Sequence, residues 1–273
     1  MDNEFTMVAK TMFGLEEVLA KEIEEIGGKE VTLLKRAVQF KGDMRVLYRA
    51  NYCLRIALAI LKPINSFTAN NEKELYDHVY KIAWEKYMNP DGTLYIDASV
   101  NSNIFTHSLY CAQKSKDAIC DRFRSMFNTR PSVDKEEADI KIDLHIYNNQ
   151  VTISLNSSGE SLHKRGYRKD IVAAPLNEVT AAGLIQLSGW QRDCNFYDPM
   201  CGSGTIAIEA AMFANNIPAQ YYRKGFAFKK WSEFNAIQWK QEKDDADSKI
   251  SEFDYEIYAS DVAQDAVDKA EDN

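Results

Sequence analysis

Residues 196 to 209 read FYDPMCGSGTIAIE, and the fold turns on how that stretch is read. Phe196 to Asp198 is short and β-like, a helical run begins at Thr205, and two glycines one residue apart lie between them. Without Cβ atoms, Gly202 and Gly204 let the chain turn tightly and let a ligand lie against its backbone. The helix that follows contributes N–H groups with no partner inside the helix. A Gly-x-Gly loop between strand and helix predicts a nucleotide-like ligand.

Read with Ala207, the loop fits G-x-G-x-x-A, the dinucleotide fingerprint, so a nicotinamide dinucleotide is one candidate. Two features count against it. Asp198 would bring negative charge to a pyrophosphate, and the acidic ribose partner should follow within about 20 residues. Asp261, the candidate, comes 57 residues after Gly204. S-adenosylmethionine carries an ammonium, a sulfonium and a ribose, which suits Asp198 near its amino-acid part and Asp261 near the ribose hydroxyls. Plainer readings stand beside these. Asp198-Pro199 can be a strand-ending turn. Asp261 to Gln264 reads as a capping box, and both roles coexist if one carboxylate oxygen is left for the ligand. Cys201 has no neighbouring histidine or lysine to activate its thiol, which argues against a nucleophile.

The chain has 273 residues, 45% hydrophobic and 27% charged, with a net charge of -8. That is ordinary globular composition and enough length for two domains. The N-terminus MDNEFTMVAK lacks a basic start and an apolar run, and no apolar stretch approaches the roughly 20 residues of a membrane span. A soluble, cytoplasmic protein is expected. Five cysteines without a C-x-x-C pair and four histidines without ligand spacing predict free thiols and no metal. Residues 1 to 166 carry 22 basic against 23 acidic residues, and residues 167 to 273 carry 11 against 18. Nucleic-acid contact therefore needs a local basic patch, not a global field.

Periodicity predicts a β-α-β-α-β unit over residues 1 to 65, with 30 to 42 as a single strand and Asp43 as an N-cap. A second unit spans 66 to 157. It opens with Asn71 and Glu74 as a capping pattern, turns at Pro90-Asp91-Gly92, holds a long helix over 108 to 127, and ends in a hairpin turning at Asn148-Asn149. Residues 1 to 157 thus read as one compact N-terminal region with two parts. The polar stretch 158 to 170 reads as a linker. From 171 to 273, helix, strand, helix and strand follow one another, which predicts a parallel sheet with crossover helices.

DPMCGSGTI is similar to the first motif of class I methyltransferases that modify guanine N2 in RNA. Upstream, LHKRGYRKDIVAAPLNEVTAAGLI resembles the segment preceding that motif, and FAFKKW resembles the aromatic stretch after it. The N-terminal half resembles the family's ferredoxin-like unit and THUMP domain, an RNA-binding module. The resemblance covers nearly the whole chain, and the most similar subgroup is bacterial and acts on large-subunit (23S) ribosomal RNA. It implies an α+β N-terminal region followed by a partial α/β Rossmann-like domain. It also implies S-adenosylmethionine as cofactor, with Asp198, Pro199, Met200, Cys201, Gly202, Ser203, Gly204 and Thr205 as the cofactor loop and Asp261 as the ribose acid. Pro175, Leu176 and Asn177 resemble a further segment near the cofactor. The family's catalytic tetrapeptide, Asn or Asp followed by Pro-Pro-Tyr or Pro-Pro-Phe, has no counterpart, because the sequence contains no Pro-Pro. That departure implies a C-terminally truncated fragment with no catalytic residue of its own, inactive alone.

Structured RNA, and 23S rRNA first, is the expected partner, with neither DNA nor a membrane; the sequence leaves oligomeric state open. Lys164, Arg165, Arg168 and Lys169 around Tyr167 could join phosphate contacts to base stacking, or form a solvated hinge. Arg122, Arg124 and Arg130 form a second candidate patch, or ordinary charges on an exposed helix face. Phe226, Phe228 and Trp231 in YYRKGFAFKKW read as packing residues. A tRNA methyltransferase and a non-catalytic RNA-binding protein are the alternatives.

Overall fold

Strand β1 (Phe5–Lys10) points Met7 and Ala9 into the core. Helix α1 (Glu16–Glu25) sets Leu19 and Ile23 one turn apart on its inner face, both wholly buried. Each such side chain stabilises the fold by about 1.5–3 kcal/mol. This computed structural model describes residues 4–169 and 175–273. Residues 170–174, where the expected linker meets the third expected domain, lie outside the described residues.

The single strand expected over 30 to 42 is two strands, β2 (Lys29–Leu34) and β3 (Ala37–Gly42), paired antiparallel with Leu34 opposite Ala37. The two-residue turn between them holds Arg36 at φ 59°. No glycine or asparagine announces this turn. Tertiary contacts fix it: Arg36 N–H donates to Glu16 Oε1 at 2.8 Å, and Arg36 O accepts Thr11 N–H at 2.9 Å. Strand β3 also pairs antiparallel with β1. Helix α2 (Met44–Cys53) starts at Asp43, whose carboxylate accepts Val46 N–H at 3.0 Å, and β4 (Ala59–Thr68) follows. The order is therefore β-α-β-β-α-β, the ferredoxin-like arrangement.

Next comes α3 (Glu72–Lys81), held at its start by reciprocal bonds. Asn71 Oδ1 accepts Glu74 N–H, and Glu74 Oε1 accepts Asn71 Nδ2–H, each at 2.9 Å. Strand β5 (Thr93–Asn101) leads to α4 (Ser108–Phe127), which buries Cys111, Ala118, Ile119 and Phe123. Then come β6 (Ser132–Val133), β7 (Ile140–Tyr147) and β8 (Gln150–Asn156). Strands β7 and β8 form a hairpin turning at Asn148 (φ 54°) and Asn149. Strand β5 lies parallel to β7, and β4 antiparallel to β8, giving the order β4-β8-β7-β5-β6.

The remainder holds α5 (Glu178–Leu187), β9 (Phe196–Asp198), α6 (Thr205–Ala214), α7 (Ala236–Asp247), β10 (Ile257–Ala259) and α8 (Gln264–Asp272). Strands β9 and β10 are parallel, with Asp198 opposite Ala259.

Packing groups the chain differently from the expected N-terminal region. One unit comprises residues 1–60, 160–225 and 236–273; the other comprises 61–159 and 226–235. In the first unit, ionic and aromatic contacts join the first sixty residues to the C-terminal ones. Arg55 donates to Met212 O at 3.0 Å and to Ile217 O, while Glu22 accepts Gln186 Nε2–H at 2.6 Å. Trp239 of α7 meets Tyr48 and Tyr52 edge-on at 5.9 and 5.6 Å, and Glu242 pairs with Arg45 and Arg49, each at 3.2 Å. These contacts join residues at least 157 positions apart in sequence, so local pattern could not announce them. In the second unit, Phe226, Phe228 and Trp231 are buried, Phe228 N–H donates to Ser157 O at 2.9 Å, and Glu233 pairs with Lys62.

Candidate functional site

Parallel pairing of β9 and β10 brings the chain's two notable acids to the same edge. Beyond the strands, Ser260 N–H donates to Asp198 O and Cys201 N–H donates to Ser260 O, both at 2.9 Å. The loop then closes on itself, with Gly204 N–H donating to Cys201 O at 2.8 Å. Both loop glycines have positive φ, 53° at Gly202 and 80° at Gly204, where a side chain is strained. A Cβ at Gly204 would also come within 3.0 Å of Ala270 Cβ on α8, whereas one at Gly202 would enter open space. Helix α6 begins at Gly204 with no side-chain cap, so its first N–H groups keep no side-chain acceptor there.

Asp198 is 7% exposed, and its Oδ2 is buried without a hydrogen-bond partner. Burial raises its carboxyl pKa; a backbone hydrogen bond from Met200 opposes the rise, and the charge of Asp261 adds to it. Asp261 behaves oppositely. Its Oδ1 accepts Ala263 N–H at 3.0 Å, its Oδ2 accepts Gly202 N–H at 2.9 Å, and these backbone bonds lower its pKa. The capping-box reading of Asp261 is therefore corrected: the N-cap of α8 is Ala263, which makes no side-chain cap, and Asp261 ties the glycine loop to the end of β10 instead. Burial, then the two carboxylates, hold the Cys201 thiol above its ordinary pKa. Asn177 caps α5, accepting Val179 N–H at 2.9 Å, and Leu176 is exposed beside it.

Within the basic run 163 to 169, Arg165 and Tyr167 are buried, which corrects their reading as RNA-facing residues. Arg165 is 1% exposed; it pairs with Glu209 at 3.2 Å and donates to Leu162 O at 2.8 Å and Arg55 O at 2.5 Å. Tyr167 is buried, its hydroxyl 3.3 Å from Glu209 Oε1, and burial raises its pKa strongly. Arg168 is taken up by Glu178, Leu176 O and Thr205. Arg165, enclosed and with every guanidinium nitrogen engaged, has none left to offer a phosphate. Lys164 and Lys169 remain exposed, Lys164 beside Glu160 at 2.9 Å. On the second unit a two-pronged pair with Glu85, at 2.9 and 2.8 Å, engages the Arg122 guanidinium. Arg124, beside Asp121 at 2.8 Å, and Arg130 stay exposed.

Sequence reasoning missed Glu178 and Glu209, the acids that claim these arginines. One signal was present: Glu209 interrupts the otherwise apolar run TIAIEAAMFA, and a charge on an apolar face needs a buried partner. Among the described residues no helix is long and apolar enough to cross a membrane, and no cluster of three acids, cysteines or histidines is placed to hold a metal.

The chain matches three family models in succession: an RlmL ferredoxin-like domain over residues 6–61, a THUMP domain over 69–156, and an RMKL-like methyltransferase domain over 165–273. It is 39% identical over 243 residues to Ribosomal RNA large subunit methyltransferase K/L of Syntrophotalea carbinolica, covering 88% of this chain and 34% of that protein. The chain thus spans about a third of that curated relative. The crystal structure of "a possible methylase from Clostridium difficile 630" superposes with a TM-score of 0.88 at 31% identity, over 99% of this chain and 71% of that one. A structure described as "SMU.472, a putative methyltransferase complexed with SAH" superposes at 0.87 and 28% identity, over 100% of this chain and 72% of that one. The ferredoxin-like strand order, the parallel β9–β10 pair with its glycine loop, and these matches agree: the chain belongs to the THUMP-bearing, RMKL-like methyltransferase family.

Proposed function

We propose that the glycine loop binds S-adenosylmethionine, and that this chain supplies the cofactor site and an RNA-docking module of an enzyme methylating guanine N2 in 23S ribosomal RNA. The observation that carries the cofactor reading is Asp198 Oδ2, a buried carboxylate oxygen with no partner. Burying such an oxygen unpaired is costly, and a ligand ammonium is the complement that removes the cost. A pyrophosphate would make the repulsion worse. When bound, the cofactor supplies an electrophilic methyl group on a sulfonium. Gly202 leaves open space beside its backbone, Gly204 lets the loop pass closely by Ala270, and Asp261 fixes the loop through Gly202 N–H.

The ribosomal relative and the THUMP match support RNA as the substrate class. Guanine as the acceptor base rests on the resemblance of DPMCGSGTI and its flanking segments to guanine-N2 enzymes. A guanine amine is a weak nucleophile, since its lone pair is shared with the ring. Methyl transfer then depends on alignment and on acceptors for the amine hydrogens. No Pro-Pro occurs in these 273 residues, so the family's amine-holding tetrapeptide has no counterpart here. This chain alone is therefore assigned binding, not turnover.

Three measurements test the reading. Calorimetry with S-adenosylhomocysteine should give saturable binding that NADH does not displace; displacement by NADH would reject the cofactor. Salt-dependent binding should favour undermodified 23S rRNA fragments over tRNA, and equal or reversed preference would reject the ribosomal assignment. Methyl transfer by the purified chain to undermodified 23S rRNA would show that turnover needs no residue outside it.

A further inference from the structure

Asp198 stands where the glycine loop begins, and Arg168 meets the loop where it ends. Arg168 NH2 donates to Thr205 Oγ1 at 3.0 Å and to Leu176 O at 3.3 Å, and its Nε donates to Glu178 Oε1 at 3.1 Å. The side chain is 13% exposed, yet NH1 is buried with no hydrogen-bond partner. Two physical oddities coincide at this residue. A guanidinium has five N–H donors, and leaving those of NH1 buried and unmet is unfavourable. Thr205 is also the first residue of α6, so a positive charge rests against the positive end of a helix. Glu178 is one anion near this charge, and the helix start and NH1 together call for another.

The loop thus has an unmet carboxylate oxygen at its entrance and an unmet guanidinium nitrogen at its exit. A zwitterion is the complement of such a pair. We propose that Arg168 is a binding and positioning residue of the cofactor site, receiving the α-carboxylate of the ligand's amino-acid end while Asp198 receives its α-ammonium. This rests on the cofactor reading above. Arg168 acts on its surroundings as well as on the ligand: holding the Thr205 hydroxyl and Leu176 O, it joins the start of α6 to the segment before α5. The basic residue thought to face RNA becomes the one that tells an amino-acid nucleoside from a plain nucleoside.

The test compares two probes by calorimetry on the full chain: S-adenosylhomocysteine and its decarboxylated analogue, which keeps the adenosine, sulfur and amine. Wild type should bind the complete ligand about tenfold more tightly or better, the size of a charge-assisted contact. R168Q should lose about tenfold for S-adenosylhomocysteine and less than about twofold for the analogue, with R168K recovering part of the loss. Equal binding of both ligands by wild type overturns the proposal without needing any variant to fold. Equal weakening of both ligands in a folded R168Q also overturns it, because that is what a purely structural role gives. Wild type binding neither ligand overturns the cofactor reading and this inference together, whereas unchanged binding in R168Q overturns this inference alone.

Discussion

Replacing Asp198 by asparagine keeps the shape of the side chain and removes its charge. In the ligand-free chain the carboxylate is 7% exposed, one oxygen has no partner, and burial together with Asp261 raises its pKa above the ordinary 3.8. The folded state therefore holds this proton more tightly than the unfolded state does. Stability of the ligand-free chain falls as pH rises from 3.8 through the raised value, and D198N removes that loss. The variant should be as stable as wild type at neutral pH or slightly more so. Its binding should suffer, because the ammonium partner loses a charge-assisted hydrogen bond worth about 1.5–3 kcal/mol, roughly 10- to 150-fold in affinity. Calorimetry with S-adenosylhomocysteine alongside thermal melts separates the two effects. A folded D198N that binds as tightly as wild type would refute the role given to the unpaired oxygen. So would a wild-type affinity that stays flat with pH: a bound cation lowers the Asp198 pKa, so affinity must fall as pH drops through the free-state value.

Other substitutions probe the loop and its supports. G204A forces a Cβ into a left-handed position 3.0 Å from Ala270 Cβ, and a loss of about 1–2 kcal/mol should appear as a lower melting temperature and weaker ligand binding. D261A frees Gly202 N–H, so hydrogen exchange at Gly202 should quicken in the ligand-free chain; unchanged exchange would contradict the tether. E209A leaves Arg165 buried without its anion, which costs about 3–5 kcal/mol, and denaturant melts should show it. The double variant K164A/K169A should melt like wild type and reduce the salt dependence of RNA binding by up to about two phosphate contacts. An RNA affinity insensitive to that change would remove this segment from the RNA surface.

The glycine loop, the Asn71–Glu74 reciprocal cap, the Asn148-Asn149 turn and the long helix α4 were legible because each is coded by neighbours in sequence. What escaped was coded by distant partners. Arg36 turns the chain between β2 and β3 because Glu16 and Thr11 hold its backbone, not because of its own residue type. The run HKRGYRK has the composition of an RNA contact, yet Glu209 and Glu178 draw Arg165 and Arg168 inward. Glu22, Arg55 and Gln186 tie residues 1–60 to the C-terminal segments, a grouping that no local periodicity reveals. At Asp261 the residue was found but its bond was not: the oxygen expected to face a ligand holds Gly202 N–H.

Side-by-side calorimetric titration of the unmodified chain with S-adenosylhomocysteine and with NADH asks most directly what the loop between Asp198 and Thr205 accepts. One site saturated by the first and untouched by the second is the outcome required by a buried carboxylate at the loop's entrance. NADH binding at that site, in competition with S-adenosylhomocysteine, would contradict it.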